Sequence, residues 1–187
     1  VSNAIVWVEP DGRVSAPYRK IHLFDVEIQG QKSVRESDQF VAGDKLSVID
    51  VEGWKWGLSV CYDLRFSELY RHYCEREVDV LFIPSAFLVK TGKAHWSPLL
   101  RARAIESQAY VVAPAQAGVS QGAKASTRET YGHSMVVDPW GEVLGELDGS
   151  NPGSLIVDIH RERIQTVRQR IPMQQHRKGF LNRGVKT

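Results

Sequence analysis

The chain has only two cysteines, Cys61 and Cys74, in 187 residues. Two thiols make no disulfide framework, and free thiols fit a reducing setting, so a cytoplasmic protein is expected. No apolar run approaches the roughly 20 residues that cross a bilayer, so no membrane-spanning helix is expected. Val1 to Gly12 carries neither the basic start nor the long apolar core of a secretory leader, and none is expected. Internal repeats and low-complexity segments are absent. The six histidines are scattered without ligand spacing, so no metal site is assigned. Acidic residues are scarce at one end only. From Ile159 onward Glu162 is the sole acid against eight Lys/Arg, although the whole chain carries a formal net charge of just +2. A basic tail can bind nucleic acid or a membrane surface. This one has Phe180 but no aromatic ladder and no zinc-knuckle spacing, so neither partner is expected. A solvated or subunit-packing tail over about 172–187 is.

What is present is ordinary for a soluble domain. Apolar residues make up 42% and charged residues 25%, enough for one domain, 1–187, with a substantial core. Strands and helices alternate. Ala4 to Glu9 reads as a strand, and Pro10-Asp11-Gly12 is a turn before a second one. Glu27 to Asp44 is polar and loop-like. Leu46 to Val51 and Lys55 to Cys61 read as two strands around Glu52-Gly53. After Cys61, apolar residues at Phe66, Leu69, Tyr70, Tyr73 and Cys74 make a helical stripe. Val78 to Pro84 reads as a buried strand and His95 to Tyr110 as a second helix, with Leu99, Ala102, Ile105 and Ala109 on its packed face. A strand follows to Ala115. Gly118 to Thr130, rich in Gly, Ser and Thr, reads as a loop over the site. Ser134 to Val137 and Glu142 to Leu147 flank the turn Asp138-Pro139-Trp140-Gly141, a hairpin signal. Ser154 to Ile159 reads as a last strand and Arg161 to Ile171 as a last helix, stopped by Pro172. The alternation indicates an α/β fold with some antiparallel pairing.

Cys61 closes the apolar run Gly57-Leu58-Ser59-Val60 and is followed by Tyr62-Asp63-Leu64-Arg65-Phe66 and an amphipathic stretch. A strand that ends in a thiol and turns into a helix presents a nucleophile, and the helix dipole there favours thiolate. The alternative is that a free Cys is a small buried hydrophobe. Lys20, in Tyr18-Arg19-Lys20-Ile21-His22-Leu23-Phe24, lies between a strand and an apolar patch; by itself it reads as a snorkelling surface lysine. Glu36 by itself reads as an exposed carboxylate. Together a Cys, a Lys and a carboxylate make a workable hydrolase without histidine. The carboxylate takes the thiol proton, the ammonium stabilises thiolate and then oxyanion, and the Tyr62 backbone N–H is a second oxyanion donor.

Three segments carry a resemblance: Tyr18 to Asp25, Cys61 to Phe66, and Tyr131-Gly132-His133-Ser134-Met135-Val136-Val137-Asp138-Pro139-Trp140-Gly141. Thr91 to Trp96, Leu100 to Glu106 and His176-Arg177-Lys178 continue it. The sequence resembles the nitrilase superfamily of carbon–nitrogen hydrolases, in its Nit-type amidase branch, over nearly the whole chain. The resemblance implies a four-layer αββα sandwich, a homodimer formed through helices and tail, and no cofactor. It makes Cys61 the nucleophile, Lys20 the catalytic lysine and Glu36 an additional active-site glutamate. Arg65 then grips a substrate carboxylate, as a planar guanidinium can, unless it forms a structural ion pair with Asp63 or Glu68. Phe87 lies near the acyl group. The implied substrate is a small keto-acid amide bearing a carboxylate. Arg103 to Gln108 and Pro172 to Arg177 look closer to amidases of deaminated glutathione, with an ω-amidase of α-ketoglutaramate as runner-up and an inactive scaffold as the rival from another class. The family's general-base glutamate lies well upstream of the lysine. Only 19 residues precede Lys20 here, and Glu9 is the one Glu among them. The expectation is therefore of a chain lacking its N-terminal portion. Ser67, where the family often has Pro, is expected to cap the following helix.

Overall fold

A computed structural model describes residues 1–27, 33–121 and 127–177. Lys178, Phe180, Arg183 and Lys186 of the expected basic tail lie outside the described residues, as do parts of the two expected loops. The described chain runs β1 (Ala4–Val8), β2 (Val14–Arg19), β3 (Asp25–Val26), β4 (Val34–Arg35), β5 (Val48–Val51), β6 (Trp54–Leu58), α1 (Ser67–Glu75) and β7 (Val80–Phe82). It continues with α2 (Val89–Ser107), β8 (Tyr110–Ala113), β9 (Ala117–Gln121), β10 (Thr127–Tyr131), β11 (Met135–Val137), β12 (Val143–Glu146), α3 (Arg161–Arg170) and α4 (Met173–His176).

Six strands form one sheet in the order β12-β11-β8-β7-β6-β5. Its centre is parallel, with Leu58 beside Phe82 and Phe82 beside Val112, and its edges are antiparallel hairpins. The two faces follow from alternation along each strand. Leu81, Val111, Ala113, Met135 and Val137 point to one face, where α1 and α2 cover them. Val80 and Tyr110 point to the other, against Ile164 of α3, while Leu58 meets Ile5 and Tyr18 of the β1–β2 ladder. The mixed α/β fold is what the alternation implied, and its layered sheets and helices agree with the sandwich that the resemblance implied. Helix α1 lies very close to β6: a Cβ on Gly57 would run into the Tyr73 ring, which donates its hydroxyl to the Leu58 carbonyl.

Four local expectations need correction. Helix α2 starts at Val89, before Thr91 and six residues ahead of the expected His95, and carries Pro98 within it. Its buried face is Gly92, Trp96, Leu100, Arg103, Ala104 and Ser107, whereas Ile105 is 45% exposed. Arg103 was not among the residues expected on that face. Here Arg103 donates to the Leu64 carbonyl and to Glu106 and lies over Tyr70, so its charge is satisfied within the core. The stretch Gly118 to Thr130 is no plain loop; its described parts form the hairpin β9–β10. Its strands have almost no apolar residue to reveal them, because both faces are largely exposed. Ser154 to Ile159 joins no ladder. Its burial alternates like a strand's, and Leu155 packs on Gly145 of β12, but the segment pairs with no described strand. Ser67 is the first residue of α1 rather than its cap, and the capping position, Phe66, makes no side-chain cap.

Candidate active site

Strands β6, β7 and β8 run parallel, and the segments leaving their carboxyl ends converge, as in open α/β sheets whose sites sit there. Val60–Cys61, Pro84–Phe87 and Pro114–Gln116 line a single cavity of about 850 Å³. Lys20, at the end of β2, and Glu36, in a short turn after β4, line it from the opposite side. The six residues singled out from sequence, Cys61, Lys20, Glu36, Tyr62, Arg65 and Phe87, all border this one space.

Cys61 has φ +50, in the left-handed region that a Cβ disfavours. The strained residue is held from both sides. Its N–H donates to the Pro84 carbonyl at 3.0 Å, and the preceding Val60 N–H donates to the Asp63 carboxylate at 2.9 Å. The elbow therefore turns into a short 3-10 turn, Cys61–Arg65. Helix α1 begins only at Ser67, so the expected dipole of an α-helix at the thiol is not the local field. Burial instead pushes the Cys61 thiol up. The Ala86 N–H, Lys20 and Arg128 oppose that by favouring thiolate, and Glu36 adds to it.

Lys20 is 3% exposed and pairs with the Glu36 carboxylate, so it is no snorkelling surface residue. Glu36 also accepts from the Phe24 N–H at 2.6 Å and from Asn3 Nδ2 at 3.1 Å. Burial acts to raise its pKa, but the hydrogen bonds from Lys20, Phe24 and Asn3 together hold it below its ordinary value. A carboxylate with these partners positions Lys20 and is poorly placed to take a thiol proton. The backbone reinforces the placement: Lys20 N–H donates to Asn3, and Gly43 N–H to the Lys20 carbonyl. A Cβ on Gly43 would collide with Arg19.

Arg65 makes no ion pair with Asp63 or Glu68. It donates to His95 Nδ1 at 3.0 Å and lies over Phe87, 5.2 Å from the ring centroid. Phe87 itself is buried edge-on against Trp96. Tyr62 meets Phe24 and Phe66 edge-on.

Sequence reasoning missed three contributors. Asp63, fully buried, accepts from Tyr18 OH at 2.7 Å, from the His22 N–H at 2.9 Å and from Val60 N–H, with His22 Nδ1 also within 2.7 Å. One carboxylate thus ties the Lys20 segment to the Cys61 elbow. Asn3 orients Glu36. Arg128 reaches the cavity from β10 and donates to the Ala86 carbonyl at 2.8 Å. The fully buried position of Asp63 could have been suspected from its place directly after the elbow; nothing in the sequence marks Arg128.

Among the described residues no group of three or more His, Cys, Asp or Glu is placed to hold a metal ion. No described helix is long and apolar enough to cross a membrane.

The model of the carbon–nitrogen hydrolase family matches residues 1–169. The chain is 44% identical over 178 residues to the deaminated glutathione amidase of a Synechocystis strain, covering 94% of this chain and 63% of that protein. The crystal structure of the Caenorhabditis elegans NitFhit protein superposes with a TM-score of 0.81 at 42% identity, over 95% of this chain and 42% of that one. An amidase from Nesterenkonia, solved with acrylamide added to its active-site cysteine, gives a TM-score of 0.68 at 29% identity, over 91% of this chain and 61% of that one. The chain thus spans less than two thirds of the length of each.

Proposed function

The chain belongs to the carbon–nitrogen hydrolase family, and we propose that the protein at its natural length is an amidase that cleaves a small keto-acid amide through a thioester on Cys61. The observation that carries the reading is the convergence of a strained, cavity-facing thiol with a buried Lys–Glu pair and a guanidinium that has no carboxylate partner among the described residues. In this mechanism the Cys61 sulfur attacks the amide carbon. Lys20 and the Tyr62 N–H stabilise the oxyanion, and the tetrahedral intermediate collapses to release the amine. Water then hydrolyses the thioester and frees the thiol. The family resemblance implies that a glutamate ahead of the lysine takes the thiol proton, hands it to the leaving amine and later activates the water. Glu36 keeps Lys20 in position. Arg65 holds the substrate carboxylate, with the acyl chain against Phe87.

The likeness to deaminated glutathione amidases supports deaminated glutathione as the substrate. The reading extends to one domain in a cytoplasmic homodimer, with no cofactor and no nucleic-acid or membrane partner. The test is a direct assay of the natural-length protein on deaminated glutathione and on α-ketoglutaramate. Faster turnover of the first is expected. Preference for the second reassigns the substrate, and inactivity on both sinks the amidase reading.

A further inference from the structure

Four cations, Lys20, Arg35, Arg65 and Arg128, line the cavity around Cys61, against one carboxylate, Glu36. Glu36 is engaged with Lys20, and Arg35 lies 3.8 Å from Asp38. Among the described residues, Arg65 and Arg128 have no carboxylate partner. They enter from different elements, Arg65 from the turn after Cys61 and Arg128 from the exposed strand β10. Arg65 is half-buried and fixed by His95 and Phe87. Arg128 is exposed, and among the described residues its side chain makes one hydrogen bond, to the Ala86 carbonyl, which leaves most of its five N–H donors without a described partner. Ala86, which anchors it, lines the same cavity as Cys61. The guanidinium is thus held at the wall of the cavity that contains the thiol. Two unpaired guanidiniums at separate points of one cavity suit a substrate with two carboxylates, each able to take a bidentate pair.

We propose that Arg128 binds a second substrate carboxylate, on the amine side of the scissile bond, and so makes the enzyme selective for a dicarboxylate amide. The proposal rests on the amidase reading above. Deaminated glutathione carries one carboxylate beside its keto group and one on its terminal glycine; α-ketoglutaramate carries only the first. Arg65 serves both amides alike, and Arg128 tells them apart. The same guanidinium also favours the Cys61 thiolate, but that effect acts equally on every substrate, which makes the two roles separable.

The test measures kcat/KM of the natural-length protein for deaminated glutathione and for the same compound with its terminal glycine as the carboxamide. The native enzyme prefers the free acid. Arg128→Ala lowers that preference about tenfold or more, the size of one charge-assisted pair, and Arg128→Lys keeps part of it. A ratio of rates, rather than a rate, is unaffected by loss of folded protein. If Arg128→Ala slows both compounds equally, or if the native enzyme shows no preference, the proposal is overturned while the amidase reading stands. If the native enzyme cleaves neither compound nor α-ketoglutaramate, the amidase reading falls and the proposal falls with it.

Discussion

Cys61 and Cys74 sit 13 residues apart, and burial pushes both thiols up. Cations stand near both as well, but backbone and access differ. Cys74 lies on α1 with helical backbone and 1% exposure. Its S–H points at the Glu106 carbonyl, and Gln174 and Arg177 close over the sulfur from the far end of the chain. Cys61 stands past the end of a parallel strand in a left-handed conformation, open to a cavity with Lys20 and Arg128 nearby. The direction of the pKa shift therefore does not distinguish a structural thiol from a nucleophile. Presentation does: the strained elbow is what keeps one sulfur accessible while the other is enclosed.

The contrast breaks first on reactivity. Cys61→Ala is expected to lower turnover of the natural-length enzyme by about 10⁴-fold or more, as loss of a nucleophile does. In the native state iodoacetamide should modify Cys61 and spare Cys74, read by mass spectrometry of peptides. Equal labelling of the two would end the comparison. A smaller but still large effect is expected on the support of the elbow. Asp63→Ala removes the acceptor shared by Tyr18, His22 and Val60 and should cost about 3 kcal/mol or more in urea unfolding, because buried donors are left unpaired. A loss under about 1 kcal/mol would mean that Asp63 does not brace the site.

The smallest effect concerns the local field. Alkylation proceeds through thiolate, so the rate at Cys61 should rise with pH, with a midpoint above the roughly 8.5 of a free thiol. Arg128 favours thiolate, so Arg128→Ala should move the midpoint higher and slow alkylation at fixed pH by roughly two- to fivefold. An unmoved midpoint would remove Arg128 from the field at the sulfur.

Much of this was legible along the chain. The stripe Leu69, Tyr70, Tyr73, Cys74 is the buried face of α1 because one helical face meets one sheet. The hairpin around Asp138-Pro139-Trp140-Gly141 formed where the turn residues placed it. The face of α2 was misread because Arg103 is buried through partners 3 to 39 residues away, which periodicity cannot register. The β9–β10 hairpin was misread because exposed strands on both faces carry no alternation. For Arg65 the sequence leaves open a grip on a substrate carboxylate or an ion pair with Asp63 or Glu68; its polar partner, His95, lies 30 residues further on.

The residues that could do chemistry were readable along the chain: a thiol at a strand end, a lysine, a glutamate and an arginine, in motifs that match one hydrolase family. Local patterning sufficed there because each residue type limits what it can do. Folding was needed to bring Lys20, Phe24 and Asn3 onto Glu36, to let Asp63 join the two halves of the site, and to carry Arg128 into it. Those facts rest on groups brought together from distant segments, where burial and hydrogen-bond geometry, not neighbouring residues, set each side chain's role.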